Sequence, residues 1–302
     1  MNSLGFHEAL ERIVASTVPV FFVGSHKNSG KTTALMRVAH ALHARAHKMV
    51  LVSIGRDGEM QDQFFGHKKP PVSVMPGMRF VTPVPSIHTA ARLLLTLPGF
   101  VEGRQLGLFE ALTCGEVELW GPPSATELRR VINAVLSFGL TLVDGALDRQ
   151  AALYQGDCRL VLCCKAVSPN PAAFGLYLSA RRALFEVPLV ADDDLPEKVI
   201  SGILAFESGV KEVRIDGPLT QTMAQSLLAA GVGRVVVESP MHVFCDLPTV
   251  LRIAPVLQVR MRPVWVATAV NPAQSCLSPR ELWVSARQAL GVNHPIFDAL
   301  AW

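Results

Sequence analysis

Lys31 and Thr32 are the two residues whose types and spacing point most directly to chemistry. They follow Gly24–Gly30, a polar loop bounded by glycines. They open a stretch in which Leu35, Val38, Ala39 and Leu42 recur at the three- and four-residue spacing of one helix face. Ahead of the loop, Val18–Val23 is a short apolar run that reads as a buried strand. Strand, loop and helix in that order make a phosphate cradle, because a helix N-terminus offers unpaired N–H groups and a positive dipole end. Lys31 would reach the β- and γ-phosphates of a nucleotide, and the Thr32 hydroxyl would bind Mg²⁺. The residues expected to line the nucleotide are Ser25, His26, Lys27, Asn28, Ser29, Gly30, Lys31, Thr32 and Thr33. The spacing departs from the strict pattern at one place. Ser25 stands six residues before Lys31, and Gly24 lies one position further back.

A second apolar run, Leu140–Val143, ends in Asp144-Gly145, the pattern of a Walker B aspartate. Magnesium is therefore expected on Thr32 and, through water, on Asp144. Met49–Ile54 is a further apolar strand, ending in Gly55-Arg56-Asp57-Gly58-Glu59. Polar residues at the carboxyl end of a strand beside a phosphate loop stand where open α/β sheets bind ligands. Asp57 and Glu59 are the candidates for positioning an attacking water. Arg56 or Arg149 is the candidate for stabilising transition-state charge, with a turn ion pair as the competing reading of Arg56-Asp57. Asn170 and Asn271 follow apolar strands and stand beside prolines. Each is either a base contact or a turn residue. The Asn-Lys-x-Asp signature that reads guanine is absent, which favours ATP over GTP.

The remaining pattern supplies the elements that would position these groups. Helices are expected over Leu4–Val14, Lys31–Ala46, Ile87–Leu97, Pro171–Leu184, Thr220–Ala230, Leu247–Ile253 and Pro279–Leu290. Another starts at Ser124, where Glu127 three residues on makes a capping-box signature. Strands are expected at Arg79–Thr82, Leu160–Cys164, Val210–Ile215, Arg234–Val237 and Val264–Val270. Leu108–Leu112 and Glu116–Trp120 read as a hairpin about Cys114-Gly115. Gln61–Gly77 is rich in turn formers and reads as a loop. Helices alternating with strands argue for an α/β fold with a mainly parallel sheet flanked by helices, of P-loop NTPase type, with a β-hairpin insertion and a second α/β half. Residues 189–302 form that second half, and 1–188 the nucleotide-binding domain. Between them, Glu186–Lys198, with two prolines and Asp192-Asp193-Asp194, is the linker candidate.

Composition narrows the class. The 302 residues are 50% hydrophobic and 18% charged, below the ~25% charged content usual in globular proteins, as a buried parallel sheet or an apolar partner surface would require. A net charge of +3 gives no reason to expect nucleic acid as a partner. No apolar run approaches the ~20 residues of a membrane span, so no membrane partner is expected. Glu8 and Glu11 stand where a secretory leader would carry basic residues, and the expected location is the cytoplasm. The six cysteines show no CxxC pair and are expected to be reduced and buried, with Cys163 and Cys164 on opposite faces of a strand. His40, His43 and His47 share one helix face and read as solvated, not metal-binding.

From Lys27 to Thr33 the loop, KNSGKTT, resembles that of the SIMIBI-type P-loop NTPases. It is particularly similar to the accessory nucleotidase of molybdopterin guanine dinucleotide assembly. In the SIMIBI signature a lysine that reaches across a homodimer stands five residues before the loop's main lysine. Here that position is His26, with Lys27 one place later. A homodimer is carried as an expectation. A wider resemblance, over nearly the whole chain, rests on this loop together with Ser53–Glu59, Gly121-Pro122, Val143–Arg149 and Val270-Asn271-Pro272. These segments look like a bacterial family of reactivase subunits for the adenosylcobalamin-dependent lysine 5,6-aminomutase. That resemblance implies Mg²⁺-dependent use of ATP, or GTP, and a protein partner, the aminomutase with a second reactivase subunit. A small-molecule kinase or ATP-dependent ligase, and a non-hydrolysing nucleotide-binding scaffold, are the alternatives on the same fold.

Overall fold

In the computed structural model, which describes residues 3–57, 72–83, 90–122, 124–145, 157–201 and 210–301, the apolar runs become the strands of a mixed, mostly parallel sheet flanked by helices. The chain begins with α1 (Ser3–Val14), β1 (Val20–Gly24), α2 (Lys31–Ala44) and β2 (Met49–Ser53). The short strands β3 (Arg56–Asp57) and β4 (Val72–Val74) follow, then β5 (Arg79–Thr82). A hairpin of β6 (Ala91–Val101) and β7 (Arg104–Ala111) leads to β8 (Gly115–Val117), β9 (Leu119–Trp120) and α3 (Ala125–Val135). Next come β10 (Leu140–Asp144), β11 (Arg159–Cys164) and α4 (Pro171–Phe185). The rest is β12 (Val199–Ile200), β13 (Glu212–Ile215), β14 (Leu219–Thr220), α5 (Gln221–Ala229), β15 (Arg234–Val237), β16 (Val243–Phe244), α6 (Leu247–Ile253), β17 (Leu257–Val259), β18 (Val264–Val270), α7 (Pro279–Leu290) and β19 (Ile296–Asp298).

Nine strands run in the order β19-β18-β11-β1-β10-β2-β5-β7-β6. The first seven are mutually parallel, and only the hairpin at the far edge is antiparallel. Alternation along each strand explains why both faces are covered. Val20 and Phe22 of β1 join one core with Leu35, Val38, Ala39 and Leu42 of α2, whereas Phe21 and Val23 join another with Leu128, Val131 and Val135 of α3. Burying such a strand on both faces removes it from water entirely, at about 25 cal/mol per Å² of apolar surface. Cys163 and Cys164 point to different cores in the same way. Buried Arg37 anchors α2 from behind: it donates to the Asp298 carbonyl, and its guanidinium lies 3.9 Å from the centre of the Phe6 ring.

A separate sheet, β12-β13-β15-β17, is parallel throughout. The region 189–302 is thus divided between two sheets, for β18 and β19 return to the main one. Helix α4 joins the two, with Ala180 and Leu184 in the core of the small sheet and Phe174 and Leu178 packed against α7 residues. In the stretch 186–198, Leu189 bridges Val259, and Asp192 and Asp194 pair with Arg260 and Arg234.

Three expectations are corrected. The helix expected over Ile87–Leu97 is strand β6 from Ala91 onward, with 84–89 outside the described residues. Its apolar core, Leu93-Leu94-Leu95, suits either element. Pro98 and the two-residue turn Glu102-Gly103, both at positive φ, select the hairpin. The hairpin expected about Cys114-Gly115 does not form. Instead β7 pairs with β5 and β6, β8 with β4, and β9 with β3. Of the six unpaired cysteines, Cys114 and Cys276 are exposed, not buried. His40 is also less free than a solvated face suggests, because its Nε2 lies 3.1 Å from the Ser73 carbonyl oxygen. Within the Gln61–Gly77 loop, Val72–Val74 is a strand, and 61–71 lies outside the described residues. No helix among the described residues is long and apolar enough to cross a membrane.

Candidate functional site

The loop after β1 is built around close approaches. Ser25 N–H donates to the Cys163 carbonyl at 2.8 Å, tying the loop to the end of β11. A Cβ on Gly24 would stand 2.4 Å from Ser29 Oγ and 3.1 Å from Lys31 Cγ and Cδ, so the loop folds back with the Lys31 stem lying over Gly24. Gly30 is left-handed, at φ +86°, and a Cβ there would meet Asn271 Nδ2 at 2.9 Å. Asn28 is left-handed as well. Gly30 is the N-cap of α2, and it supplies no side chain to the first amides of that helix. Those N–H groups are left to an external acceptor.

Across the sheet, the Thr32 hydroxyl donates to Asp144 Oδ2 at 2.6 Å. Asp144 is fully buried, and its Oδ1 accepts from Gly145 N–H at 2.8 Å. The strand register accounts for the meeting. β1 and β10 are adjacent and parallel, so the first turn of α2 and the carboxyl end of β10 rise on the same edge. A hydroxyl and a carboxylate held together are oxygen donors of the kind a hard divalent cation takes.

Two polar atoms of the loop bear on what it holds. Ser29 Oγ and Asn271 Oδ1 are both buried and have no hydrogen-bond partner among the described residues. Asn271 closes the loop from below. Its N–H donates to the Cys164 carbonyl at 2.9 Å, and its Nδ2 reaches the Asn28 carbonyl at 3.4 Å. Asn170 is elsewhere, as the N-cap of α4, accepting from Ala172 N–H at 2.9 Å. Its turn reading is the one the structure carries.

On the β11 side, His26 Nδ1 lies 3.0 Å from Ser25 Oγ, and its ring centre is 5.8 Å from that of Tyr177 on α4. Burial lowers the His26 pKa, and Lys165 and Arg181 lower it further. Lys27 is exposed and Thr33 is half-buried. Beneath the loop, burial holds the Cys163 thiol well above its usual range, although Lys31 draws it down.

At the carboxyl end of β2, Arg56 and Asp57 stand as β3, paired with Trp120 and Leu119. Gly121 is the lock of this corner. Its N–H donates to the Gly55 carbonyl at 2.8 Å, and a Cβ on it would stand 1.5 Å from the Ser53 carbonyl oxygen. Ser53 is in register with Asp144, so β3 starts beside the Thr32–Asp144 pair. Glu59 and Arg149 lie outside the described residues. Tyr177 and Arg181 carry no motif in the sequence, and the packing of α4 beside the loop sets the Tyr177 ring against His26, with the Arg181 guanidinium 5.4 Å from that ring's centre. Comparison of the chain with protein-family models, with curated proteins and with solved structures finds no match.

Proposed function

We propose that the chain binds a nucleoside triphosphate with Mg²⁺ on the Gly24–Thr33 loop, as a SIMIBI-type P-loop protein, and hydrolyses it, with ATP preferred over GTP. The observation that supports this most is the 2.6 Å contact between Thr32 and Asp144, which joins a hydroxyl in the first turn of α2 to a buried carboxylate beside the loop. The two orphaned polar atoms fit the same group: buried Ser29 Oγ can donate to a phosphate oxygen, and Asn271 Oδ1 can accept from a bound ligand. Thr32 would hold Mg²⁺ directly and Asp144 through water. When bound, the ion neutralises charge between the β- and γ-phosphates. Lys31 and the α2 amides would stabilise negative charge on the transferring phosphoryl group, and fixed donors of this kind supply much of the catalysis in such sites. Asp57 is the candidate for orienting water from β3.

Phosphate release from ATP and GTP, with Mg²⁺ and with a chelator, tests this. Turnover that needs Mg²⁺ and falls to background in Lys31→Ala supports hydrolysis at this loop. Turnover unchanged by Lys31→Ala refutes it, and nucleotide binding without turnover leaves the scaffold reading. The partner carried by the family resemblance is an adenosylcobalamin-dependent aminomutase with a second reactivase subunit. Turnover-inactivated aminomutase should regain activity with both subunits, ATP, Mg²⁺ and fresh cofactor. No recovery and no complex would favour the kinase or ligase reading.

A further inference from the structure

We propose that Asn271 is a positioning residue for the phosphate loop: its side chain holds the Asn28–Gly30 limb so that the N–H groups of that limb face the phosphates, and it does so without reading the base. This rests on the nucleotide reading above and assigns how the loop keeps its shape. The chain carries two Asn-Pro pairs downstream of strands of the main sheet, and their side chains do different work. Asn170 caps the helix behind it, its Oδ1 accepting from Ala172 N–H at 2.9 Å. Asn271 precedes the short 3-10 turn Pro272–Gln274 in the same way, yet its side chain makes no capping bond there. It turns instead to the loop, 5% exposed, with Nδ2 donating to the Asn28 carbonyl at 3.4 Å, a long hydrogen bond.

The contacts put this amide where the loop needs support. Asn28 and Gly30 are both left-handed, at φ 58° and 86°. That conformation helps turn successive N–H groups toward a shared anion, but Asn28, which has a Cβ, adopts it at a cost. A Cβ built on Gly30 would meet Nδ2, Cβ and Cγ of Asn271 at 2.9–3.2 Å, so the Asn271 side chain is the wall behind that glycine. The peptide joining Asn28 to Ser29 is trans, and its N–H points opposite to its carbonyl. Holding the Asn28 carbonyl therefore turns the Ser29 N–H away from Asn271 and into the phosphate cradle. The wall is itself fixed. Asn271 N–H donates to the Cys164 carbonyl at 2.9 Å, and further on Cys276 N–H donates to the Ala166 carbonyl at 2.8 Å, so the segment is tied twice to the chain leaving β11. Asn271 Oδ1 is buried with no partner among the described residues, a cost that an apolar side chain of similar size would avoid. Packing alone does not call for an amide here; a donor to the loop does.

The test titrates Mg·ATP, Mg·GTP and Mg·tripolyphosphate, which has no base, into the full chain by calorimetry. Wild type, Asn271→Ala and Asn271→Asp are compared, with thermal unfolding of each to confirm the fold. Asn271→Asp keeps the shape and sets an oxygen in place of the Nδ2 donor, facing the Asn28 carbonyl. Both variants should weaken all three ligands by the same factor, about tenfold in Asn271→Ala. The Asn271→Asp deficit against wild type should shrink from about pH 8 to about pH 5.5, as the carboxyl takes up a proton and becomes a donor again. A loss confined to one nucleotide would make Asn271 a base contact and overturn the proposal. Tripolyphosphate affinity unchanged in both variants, or an Asn271→Asp deficit equal at the two pH values, would overturn it as well. If Asn271→Ala does not fold, the Asn271→Asp series decides alone. Failure of the wild type to bind any of the three refutes the nucleotide reading itself, and the positioning role falls with it.

Discussion

Replacing Asp144 by asparagine keeps the shape of a buried side chain and removes its charge. The carboxylate accepts hydrogen bonds from Thr32 at 2.6 Å and from Gly145 N–H at 2.8 Å. An amide offers one oxygen, so one donor loses a charged acceptor worth ~1.5–3 kcal/mol, and the other keeps a neutral bond worth about 1 kcal/mol. The expected loss of folding stability is about 2–5 kcal/mol, within the ~5–15 kcal/mol by which an ordinary domain is stable. Magnesium-dependent turnover should fall ~10–100-fold, the usual effect of losing a carboxylate that supports the ion from outside its direct ligands. Without Mg²⁺ the sign reverses. Removing a negative charge beside the phosphates should strengthen nucleotide binding several-fold in chelator. Titration of a fluorescent nucleotide with Mg²⁺ and with chelator, alongside phosphate release, reads both arms. Equal Mg²⁺ dependence in wild type and Asp144→Asn would remove Asp144 from the metal site, whatever the effect on stability.

Two further outcomes concern the frame. Gly121→Ala places a methyl group 1.5 Å from the Ser53 carbonyl oxygen, where only backbone can give way, and should cost about 3 kcal/mol in urea unfolding; a loss under 1 kcal/mol would show that the corner yields. His294, packed on Trp265 and bonded to Thr268, has its pKa lowered from 6.5 to about 4 by burial first and then by Arg12, Arg182 and Arg287. Because the folded value is the lower one, the unfolded chain takes up the proton first. His294 thus contributes fully to stability above pH 6.5, and that contribution is lost as pH falls toward 4, by about 2 kcal/mol between pH 7 and 5. Urea unfolding of wild type and His294→Asn at both values should differ by that amount, and parallel pH dependence would refute it.

The sequence made local features legible and left distant ones dark. Helix α2 was readable because its apolar residues follow the helical period and Gly30 marks its start. Helices α3 and α7 carry their own start signals in Ser124, Ser278 and Glu281. Strand β6 was misread because the run from Leu93 to Leu97 has no alternation to separate strand from helix. The return of β18 and β19 to the main sheet follows from pairing between strands far apart in the chain, which leaves no local mark. Within the site, Lys31, Thr32 and Asp144 announce themselves by spacing and by strand ends. Burial of Ser29 and Asn271, and the approach of the Tyr177 ring to His26, depend on how α4 and β18 pack around the loop.

The central claim is that the Gly24–Thr33 loop grips a nucleotide's phosphates through Lys31. Calorimetric titration of Mg·ATP into the wild type and into Lys31→Ala, with thermal unfolding run on both to confirm the fold, tests it most directly. The account predicts one nucleotide per chain for the wild type and at least a hundredfold weaker binding for a folded Lys31→Ala protein, since a charged hydrogen bond and its Coulomb energy are both lost. Equal affinity in the two proteins, or no nucleotide binding by the wild type, would contradict it.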